Sequence, residues 1–230
     1  TTPFPPFSPL TVQFCNEFSR QLLNLPIVKD NPEWAAFSFW LRPRKIEEYK
    51  KLLPYLETRL GRGLTFHIAP SNMPVMFLYS LFISLLAGNA NVVRISPKLV
   101  PAVSPICSLF DHLLRAPSYR RLFNQNAIIT YDHEKKVTDL FSKCCDSRII
   151  WGGDKTILEI RKSPLSPKAI DIPFPDRYSL SVFDSNYIIT CSDEELKEKV
   201  HHFYLDTYEV DQNACSSPRL IFWLGSKSDF

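Results

Sequence analysis

Four short segments of this 230-residue chain place polar or glycine residues beside apolar runs, where a folded protein could use them for chemistry. The first is Ala-Pro-Ser-Asn-Met-Pro, in which Asn72 stands between two prolines that stiffen the turn. A side-chain amide held in this way can donate a hydrogen bond to a developing oxyanion. An asparagine at such a turn can equally cap the helix that follows it.

The second segment is Arg-Ile-Ser-Pro-Lys, residues 94–98, at the end of an apolar run. In nucleotide-binding sheets, an acidic residue after the second strand suits the ribose of NAD, whereas a basic residue accommodates the 2′-phosphate of NADP. Residues 91–99 include no acid but do include Arg94, Ser96 and Lys98. The segment is compatible with NADP contacts and also with a solvated loop that carries two surface charges.

The third segment, Trp-Gly-Gly-Asp-Lys at residues 151–155, contains two of the six glycines of the chain. Gly152 and Gly153 would let a ligand or another backbone approach closely, and the start of a helix favours anions. Trp151 ends the apolar run before them. A tight turn, with Asp154 capping the helix, is the alternative interpretation.

The fourth segment is Asp-Gln-Asn-Ala-Cys-Ser-Ser-Pro, residues 211–218, which places Cys215 in a polar turn after a helix. A reactive thiolate requires a polar and accessible setting of this kind. None of the six cysteines forms a C-x-x-C pair and no close Cys/His cluster exists, so we expect no metal site.

The elements that must position these residues alternate between short apolar strands and helices. The pattern predicts strands at residues 64–69, 91–95, 127–131 and 147–151, and helices at 75–87, 100–114, 134–145 and 154–162. Such alternation implies a doubly wound parallel α/β sheet, whose ligands bind at the carboxyl ends of the strands.

The flanking regions follow a different pattern. We predict an extended proline-rich arm over residues 1–10 and helices within 13–60, whereas the proline-rich residues 163–178 form a connection. Two strands at 180–183 and 187–190, a helix at 194–208 and a last strand at 219–224 complete the prediction.

Composition excludes several classes of protein. A hydrophobic fraction of 45%, a charged fraction of 22% and a net charge of +3 are typical of a globular protein without a nucleic-acid footprint. The apolar run at 75–87 is too short to cross a bilayer. Gly61 and Gly63 lack the third glycine of G-x-G-x-x-G, and no phosphate loop is present. Scattered cysteines without a signal peptide favour a cytoplasmic location.

Taken together, the segments resemble the long-chain acyl-CoA reductase family, which includes the fatty-acid reductase component of bacterial bioluminescence and belongs to the aldehyde dehydrogenase superfamily. The matching sequences are Gly-Arg-Gly-Leu-Thr-Phe-His-Ile-Ala-Pro-Ser-Asn (61–72), Leu-Ala-Gly-Asn-Ala-Asn-Val-Val-Arg (86–94), Ile-Trp-Gly-Gly-Asp-Lys (150–155) and residues 211–218. The resemblance extends from Gly61 to Gly225, and the third and fourth sequences are its specific part.

The resemblance implies a Rossmann-like sheet of the aldehyde dehydrogenase type, preceded by a helical segment and followed by the start of a catalytic domain. It suggests domains at residues 1–60, 61–192 and 193–230, the last incomplete because the family is longer than this chain. It implies that Cys215 is the acyl-accepting nucleophile and Asn72 the oxyanion-hole amide. Arg94, Ser96, Lys98, Trp151, Gly152 and Gly153 would contact NADPH, although many members have lysine where Arg94 stands.

The predicted reaction is reduction of a long-chain acyl thioester to an aldehyde with NADPH. Hydrolytic aldehyde dehydrogenases carry a glutamate upstream of the cysteine, but residues 173–182 contain none, which disfavours attack by water. Expected partners are fatty acyl-CoA or an acyl-carrying synthetase or transferase subunit, with oligomers formed by the full-length protein. Two alternatives remain: a noncatalytic fragment that binds nucleotide or a partner, and a cysteine hydrolase that uses His201 or His202.

Overall fold

The computed structural model describes residues 2–208, 212 and 214–225. It divides the chain into two compact units, Thr1–Pro175 and Asp176–Phe230. The family-based domains at 1–60, 61–192 and 193–230 remain a prediction. Among the described residues, no helix combines the length and the hydropathy needed to cross a membrane.

The first unit is built on a five-stranded parallel sheet in the order β3-β2-β1-β4-β5. Its strands are β1 (Leu64–Ile68), β2 (Ala90–Ile95), β3 (Asn126–Thr130), β4 (Ser147–Trp151) and β5 (Ile170–Phe174). The reversal of strand order at β1 and β4 is the hallmark of a doubly wound sheet, so the predicted α/β fold is confirmed.

Helices cover both faces of this sheet. They are α1 (Pro9–Leu22), α2 (Ile27–Asp30), α3 (Pro32–Trp40), α4 (Pro43–Leu52), α5 (Met76–Leu86), α6 (Val100–Leu114), α7 (Arg120–Phe123), α8 (Lys135–Cys144) and α9 (Asp154–Arg161), with 3₁₀ turns at Leu56–Thr58, Pro97–Leu99 and Pro117–Tyr119. Helices α1, α3, α5 and α6 share the larger apolar core on one face, whereas α8 and α9 contribute to a smaller core on the other. The two faces are called the α5 side and the α8 side below.

The amino-terminal helices belong to the larger core. Phe14, Phe18 and Leu22 recur at helical spacing on α1 and are fully buried. The predicted extended arm over residues 1–10 is too long by two residues, because α1 begins at Pro9. Pro9 suits the first turn of a helix, and the Thr11 N–H donates to Ser8 Oγ at 3.3 Å, which caps that turn.

Two glycines fix the short arm that precedes α1. The Phe4 N–H donates to the Gly88 carbonyl, and the Gly61 N–H donates to the Phe4 carbonyl, both at 2.9 Å. A Cβ added to Gly61 would lie 2.1 Å from the Gly88 oxygen, and a Cβ added to Gly88 would lie 2.1 Å from the Phe4 oxygen. The three backbones can therefore lie this close only because both positions lack side chains.

The predicted connection at residues 163–178 contains a strand that sequence reasoning missed. Strand β5 extends the sheet beside β4, and the proline-rich pattern concealed it because Pro173 lacks an N–H donor. An edge strand tolerates a missing N–H donor, because one of its two sides forms no hydrogen bonds with a neighbouring strand. The strand is also held by Asp171, which accepts from Arg148 Nε at 2.9 Å and from Arg161 Nε at 2.8 Å.

The second unit contains the parallel strands β6 (Ser179–Asp184) and β7 (Pro218–Leu224) and the helices α10 (Ser185–Thr190) and α11 (Asp193–Tyr208). The predicted strand at 187–190 is wrong, because these residues lie in α10. Asp184 Oδ1 accepts from the Asn186 N–H at 2.9 Å and starts that helix. Ser192 and Glu195 form a reciprocal capping box at the start of α11.

Candidate active site

The carboxyl ends of three neighbouring strands form one edge of the sheet in the first unit. Ile68 of β1 lies opposite Arg94 of β2 and opposite Ile150 of β4. Because all three strands are parallel, the segments that follow them emerge at the same edge. The structure therefore brings the first three predicted segments to the position where doubly wound sheets bind ligands.

Asn72 lies in the loop between β1 and α5, and its side chain is exposed. Helix α5 has Val75 at its N-cap and no side-chain cap, so Asn72 does not fill the capping role that the sequence left open. The turn is closed by backbone bonds instead, with the Met76 N–H donating to the Met73 carbonyl at 3.1 Å. The Asn72 amide therefore remains available to a ligand.

Arg94 is half-buried on the α8 side of the sheet. Its Nη2 donates to the Tyr131 carbonyl at 3.1 Å, and its Cζ lies 5.4 Å from the centre of the Tyr131 ring. Only one of the five guanidinium N–H donors is used by this bond. Ser96 is buried at the start of the 3₁₀ turn that follows β2, whereas Lys98 is exposed.

The turn after β4 leaves the start of α9 open. Gly153 is the N-cap residue of α9 and the helix has no side-chain cap, so Asp154 does not cap it. A Cβ added to Gly153 would meet no atom within 4 Å, whereas one added to Gly152 would lie 3.1 Å from Thr156. An uncapped helix start beside an open glycine is a suitable cradle for a phosphate group.

Trp151 points to the opposite side of the sheet from Arg94. Its indole Nε1 donates to Ser80 Oγ of α5 at 3.1 Å, and its ring stacks on Phe174 with centroids 4.1 Å apart. Trp151 and Arg94 therefore share an edge of the sheet but not a face. Of the residues predicted to contact the cofactor, Arg94 therefore lies beside Tyr131 on one face, and Trp151 lies beside Ser80 on the other.

Cys215 belongs to the second unit, in the turn that precedes β7. Its side chain is exposed, and its carbonyl accepts from Ser179 Oγ at 2.6 Å. The Ser217 N–H donates to the Ala214 carbonyl at 3.1 Å, which closes a tight turn around the cysteine. Asp211 and Asn213 of the predicted motif lie outside the described residues.

Four of the other five cysteines are less suited to nucleophilic chemistry than Cys215. Burial raises the pKa of the Cys107 and Cys145 thiols to about 11, and burial raises the pKa of Cys15 further. Cys144 is exposed and has no comparable polar turn. Within the described part of the chain, no cluster of three metal-ligating side chains occurs.

The structure also identifies residues that sequence reasoning missed. Tyr131 contacts Arg94 and Phe174 stacks on Trp151, whereas His67 of β1 lies on the same side of the sheet as Trp151, fully buried and bonded to Ser80. A histidine in the middle of an apolar strand, together with a serine inside an apolar helix, was the available signal. The sequence did not predict that His67 and Ser80 are in contact, because only the packing of α5 against β1 brings the two residues together.

The fold matches solved structures of the aldehyde dehydrogenase superfamily. It resembles proline utilization A from Bradyrhizobium japonicum at 16% identity and a TM-score of 0.65, over 96% of this chain and 24% of that one. A protein described as an aldehyde dehydrogenase, PutA, from Anabaena variabilis matches at 14% identity and a TM-score of 0.62, over 96% and 48% of the two chains. A protein described as an aldehyde dehydrogenase from Burkholderia cenocepacia matches at 17% identity and a TM-score of 0.61, over 93% of this chain and 45% of that one.

The chain thus spans less than half the length of each of these structures. Among curated proteins, none matches this sequence. The sequence profile of the family described as acyl-CoA reductase (LuxC) matches residues 41–228, which include all four predicted segments. The chain therefore belongs to the LuxC family of acyl-CoA reductases.

Proposed function

We propose that this protein reduces a long-chain fatty acyl thioester to the aldehyde with NADPH, through an S-acyl intermediate on Cys215. The observation that carries the proposal is the position of Cys215 within the family match, in an exposed turn closed by Ser179 and Ser217. The donor would be acyl-CoA or an acyl-carrying protein, because both present the same thioester carbon.

The first unit has groups that fit a phosphorylated cofactor. The uncapped start of α9 and the open side of Gly153 would hold the pyrophosphate. The unused donors of Arg94, with Lys98 nearby in sequence, would hold the 2′-phosphate. Bound NADPH would supply a hydride to the acyl carbon, which is the chemistry that the protein side chains lack.

The roles proposed for the side chains are those of acyl transfer. The Cys215 thiolate attacks the thioester carbonyl carbon, a new C–S bond forms, and the donor thiolate leaves. The Asn72 amide, which no capping role occupies, donates to the oxygen that gains negative charge. After reduction, the C–S bond to Cys215 breaks and the aldehyde is released with the thiolate restored.

Hydrolysis of the acyl-enzyme is disfavoured by the residues at hand. The stretch 173–182 offers Asp176 in place of a glutamate, and this side chain is exposed with Oδ1 accepting from the Arg177 N–H at 2.9 Å. A general base must lie within hydrogen-bond reach of the water that it activates. His201 and His202 are exposed on α11 and no acidic partner of either ring is found among the described residues, so a cysteine hydrolase is the weaker interpretation.

The nucleophile is tested by covalent labelling of the protein expressed from its whole gene. With a radioactive fatty acyl-CoA, the wild type should retain label through denaturation, and Cys215→Ala should retain less than a tenth of it. Cys144→Ala is the matched control, because Cys144 is the other exposed cysteine of the described chain, and it should label normally. Undiminished labelling of Cys215→Ala would refute the assignment.

The cofactor is tested separately by Arg94→Ala. We expect NADPH to bind at least tenfold more weakly to this variant while NADH binding changes less than twofold, because only NADPH carries the 2′-phosphate. Equal losses for both cofactors would assign Arg94 a structural role. A wild type that reduces the acyl donor faster with NADH than with NADPH would contradict the proposed cofactor.

A further inference from the structure

A chain of polar side chains crosses the sheet on its α5 side and ends at Trp151. Trp151 Nε1 lies 3.1 Å from Ser80 Oγ, and that oxygen lies 2.8 Å from His67 Nδ1. His67 Nε2 lies 3.0 Å from Asn91 Oδ1, and Asn91 Nδ2 lies 2.8 Å from Asn126 Oδ1. Four strands are thereby linked, with the three central residues of the chain almost fully buried.

The direction of each hydrogen bond is determined by the chemistry of the groups. The Asn91 side-chain oxygen can only accept, so His67 carries its hydrogen on Nε2 and donates it to Asn91 Oδ1. In the neutral ring Nδ1 is then an acceptor, so Ser80 Oγ donates to it and in turn accepts from the indole N–H, which can only donate. Burial, opposed by the Asn91 hydrogen bond, lowers the pKa of His67 to about 4, which agrees with this neutral ring. Loss of Ser80 or His67 would leave a buried partner without its bond.

At its outer end, the chain meets the turn that follows β4. The Trp151 ring stacks on Phe174 at an interplanar angle of 9°, and the Gly152 N–H donates to the Phe174 carbonyl at 3.3 Å. Gly153, the next residue, is the N-cap of α9. The orientation of the indole, the end of β5 and the course of the glycine turn are therefore linked.

Burial of polar groups is costly, and apolar residues of similar size would fill this space without that cost. We infer that His67 and Ser80 are positioning residues, which hold Trp151 and through it the Gly152–Gly153 turn in the arrangement that binds the cofactor phosphates. The inference rests on the cofactor role proposed for that turn. Neither residue is a catalytic group in this scheme, because both act through Trp151.

The test compares Ser80→Ala with Ser84→Ala in the protein expressed from its whole gene. Ser84 lies one turn further along α5, is buried to the same extent, and accepts one bond from Asn89 Nδ2 at 3.2 Å. Amide hydrogen exchange at Gly152 should become at least tenfold faster in Ser80→Ala and change less than twofold in Ser84→Ala. Exchange at Val93, in strand β2, reports any general loss of stability.

NADPH affinity, followed by the fluorescence of the reduced cofactor, is the second readout. Binding should weaken about tenfold in Ser80→Ala and in His67→Phe, which keeps a ring but no ring nitrogens, and less than twofold in Ser84→Ala. Equal exchange at Gly152 in the two serine variants, or acceleration at Val93 to the same degree, would overturn the inference. So would faster exchange at Gly152 with NADPH affinity unchanged.

The two proposals can fail separately. A wild type that binds no NADPH would refute the proposed cofactor, and selective loss of Gly152 protection in Ser80→Ala would then still uphold the anchoring of the turn. Conversely, NADPH binding that survives both Ser80→Ala and His67→Phe would leave the proposed function intact and overturn the positioning role.

Discussion

Acid should destabilise the fold through one buried side chain, His67. The ring is fully buried between Ser80 and Asn91, and it has no acidic partner among its hydrogen bonds in the described structure. Burial lowers its pKa from the ordinary 6.5 to about 4 in the folded protein. Between these two pH values the unfolded chain binds a proton that the folded chain does not, so the free energy of unfolding falls as the pH falls.

The expected size follows from the gap between the two pKa values. Complete protonation of His67 would remove roughly 3 kcal/mol from the free energy of unfolding, at about 1.4 kcal/mol for each pH unit. The loss should begin near pH 6.5 and approach its limit below pH 4. Between pH 7.5 and pH 5, it should reach about 2 kcal/mol.

Urea unfolding at pH 7.5 and pH 5 measures this loss in the wild type, His67→Gln and His112→Gln. The wild type should lose about 2 kcal/mol more than His67→Gln over this interval, because all other titrating groups are common to both. His112 is exposed on α6, so its variant should follow the wild type. The same pH dependence in the wild type and His67→Gln would refute the reasoning. If His67→Gln does not fold, an NMR titration of the wild type can replace it, and a His67 pKa near 6.5 would then refute the reasoning.

Two further predictions concern the scaffold of the first unit. Arg148→Met should lower the free energy of unfolding by about 3–5 kcal/mol, because the buried guanidinium pairs with Asp171 and also donates to buried oxygens; a loss below 1 kcal/mol in urea unfolding would contradict this. Gly61→Ala should cost roughly 1–3 kcal/mol because its Cβ would collide with the Gly88 carbonyl, whereas Gly153→Ala, with open space around it, should cost less than about 1 kcal/mol. Equal melting temperatures for Gly61→Ala and Gly153→Ala would contradict the prediction that only the first substitution causes a collision.

The alternation of apolar runs predicted most of the parallel sheet. Strands β1, β2, β3 and β4 and helices α5, α6 and α8 lie within one or two residues of their predicted bounds, whereas the short helix α7 was not predicted. Local patterns suffice there, because each strand is a short apolar run and each helix repeats its apolar residues on one face. Strand β5 escaped prediction because its stabilising partners are distant in sequence, above all the ion pair between Arg148 and Asp171.

Misassignment of residues 187–190 has a similar cause. Their apolar and β-branched side chains favour a strand, but Asp184 is the N-cap of α10 and commits the segment to that helix. A single hydrogen bond at the start of a helix outweighs a weak local preference, and the pattern of side chains alone does not reveal which of the two prevails.

For the candidate site, the sequence alone determined which residue types stand at the ends of which strands: an asparagine after β1, basic residues in and just after the end of β2, and a glycine pair after β4. It also indicated the family, through the segments around Trp151 and Cys215. Only the tertiary structure decided that Arg94 and Trp151 face opposite sides of the sheet, and that the Trp151 indole donates a hydrogen bond to Ser80, which is itself bonded to His67. The physical reason is that a strand's register and its helices fix the direction of each side chain, and these depend on partners far away in the sequence.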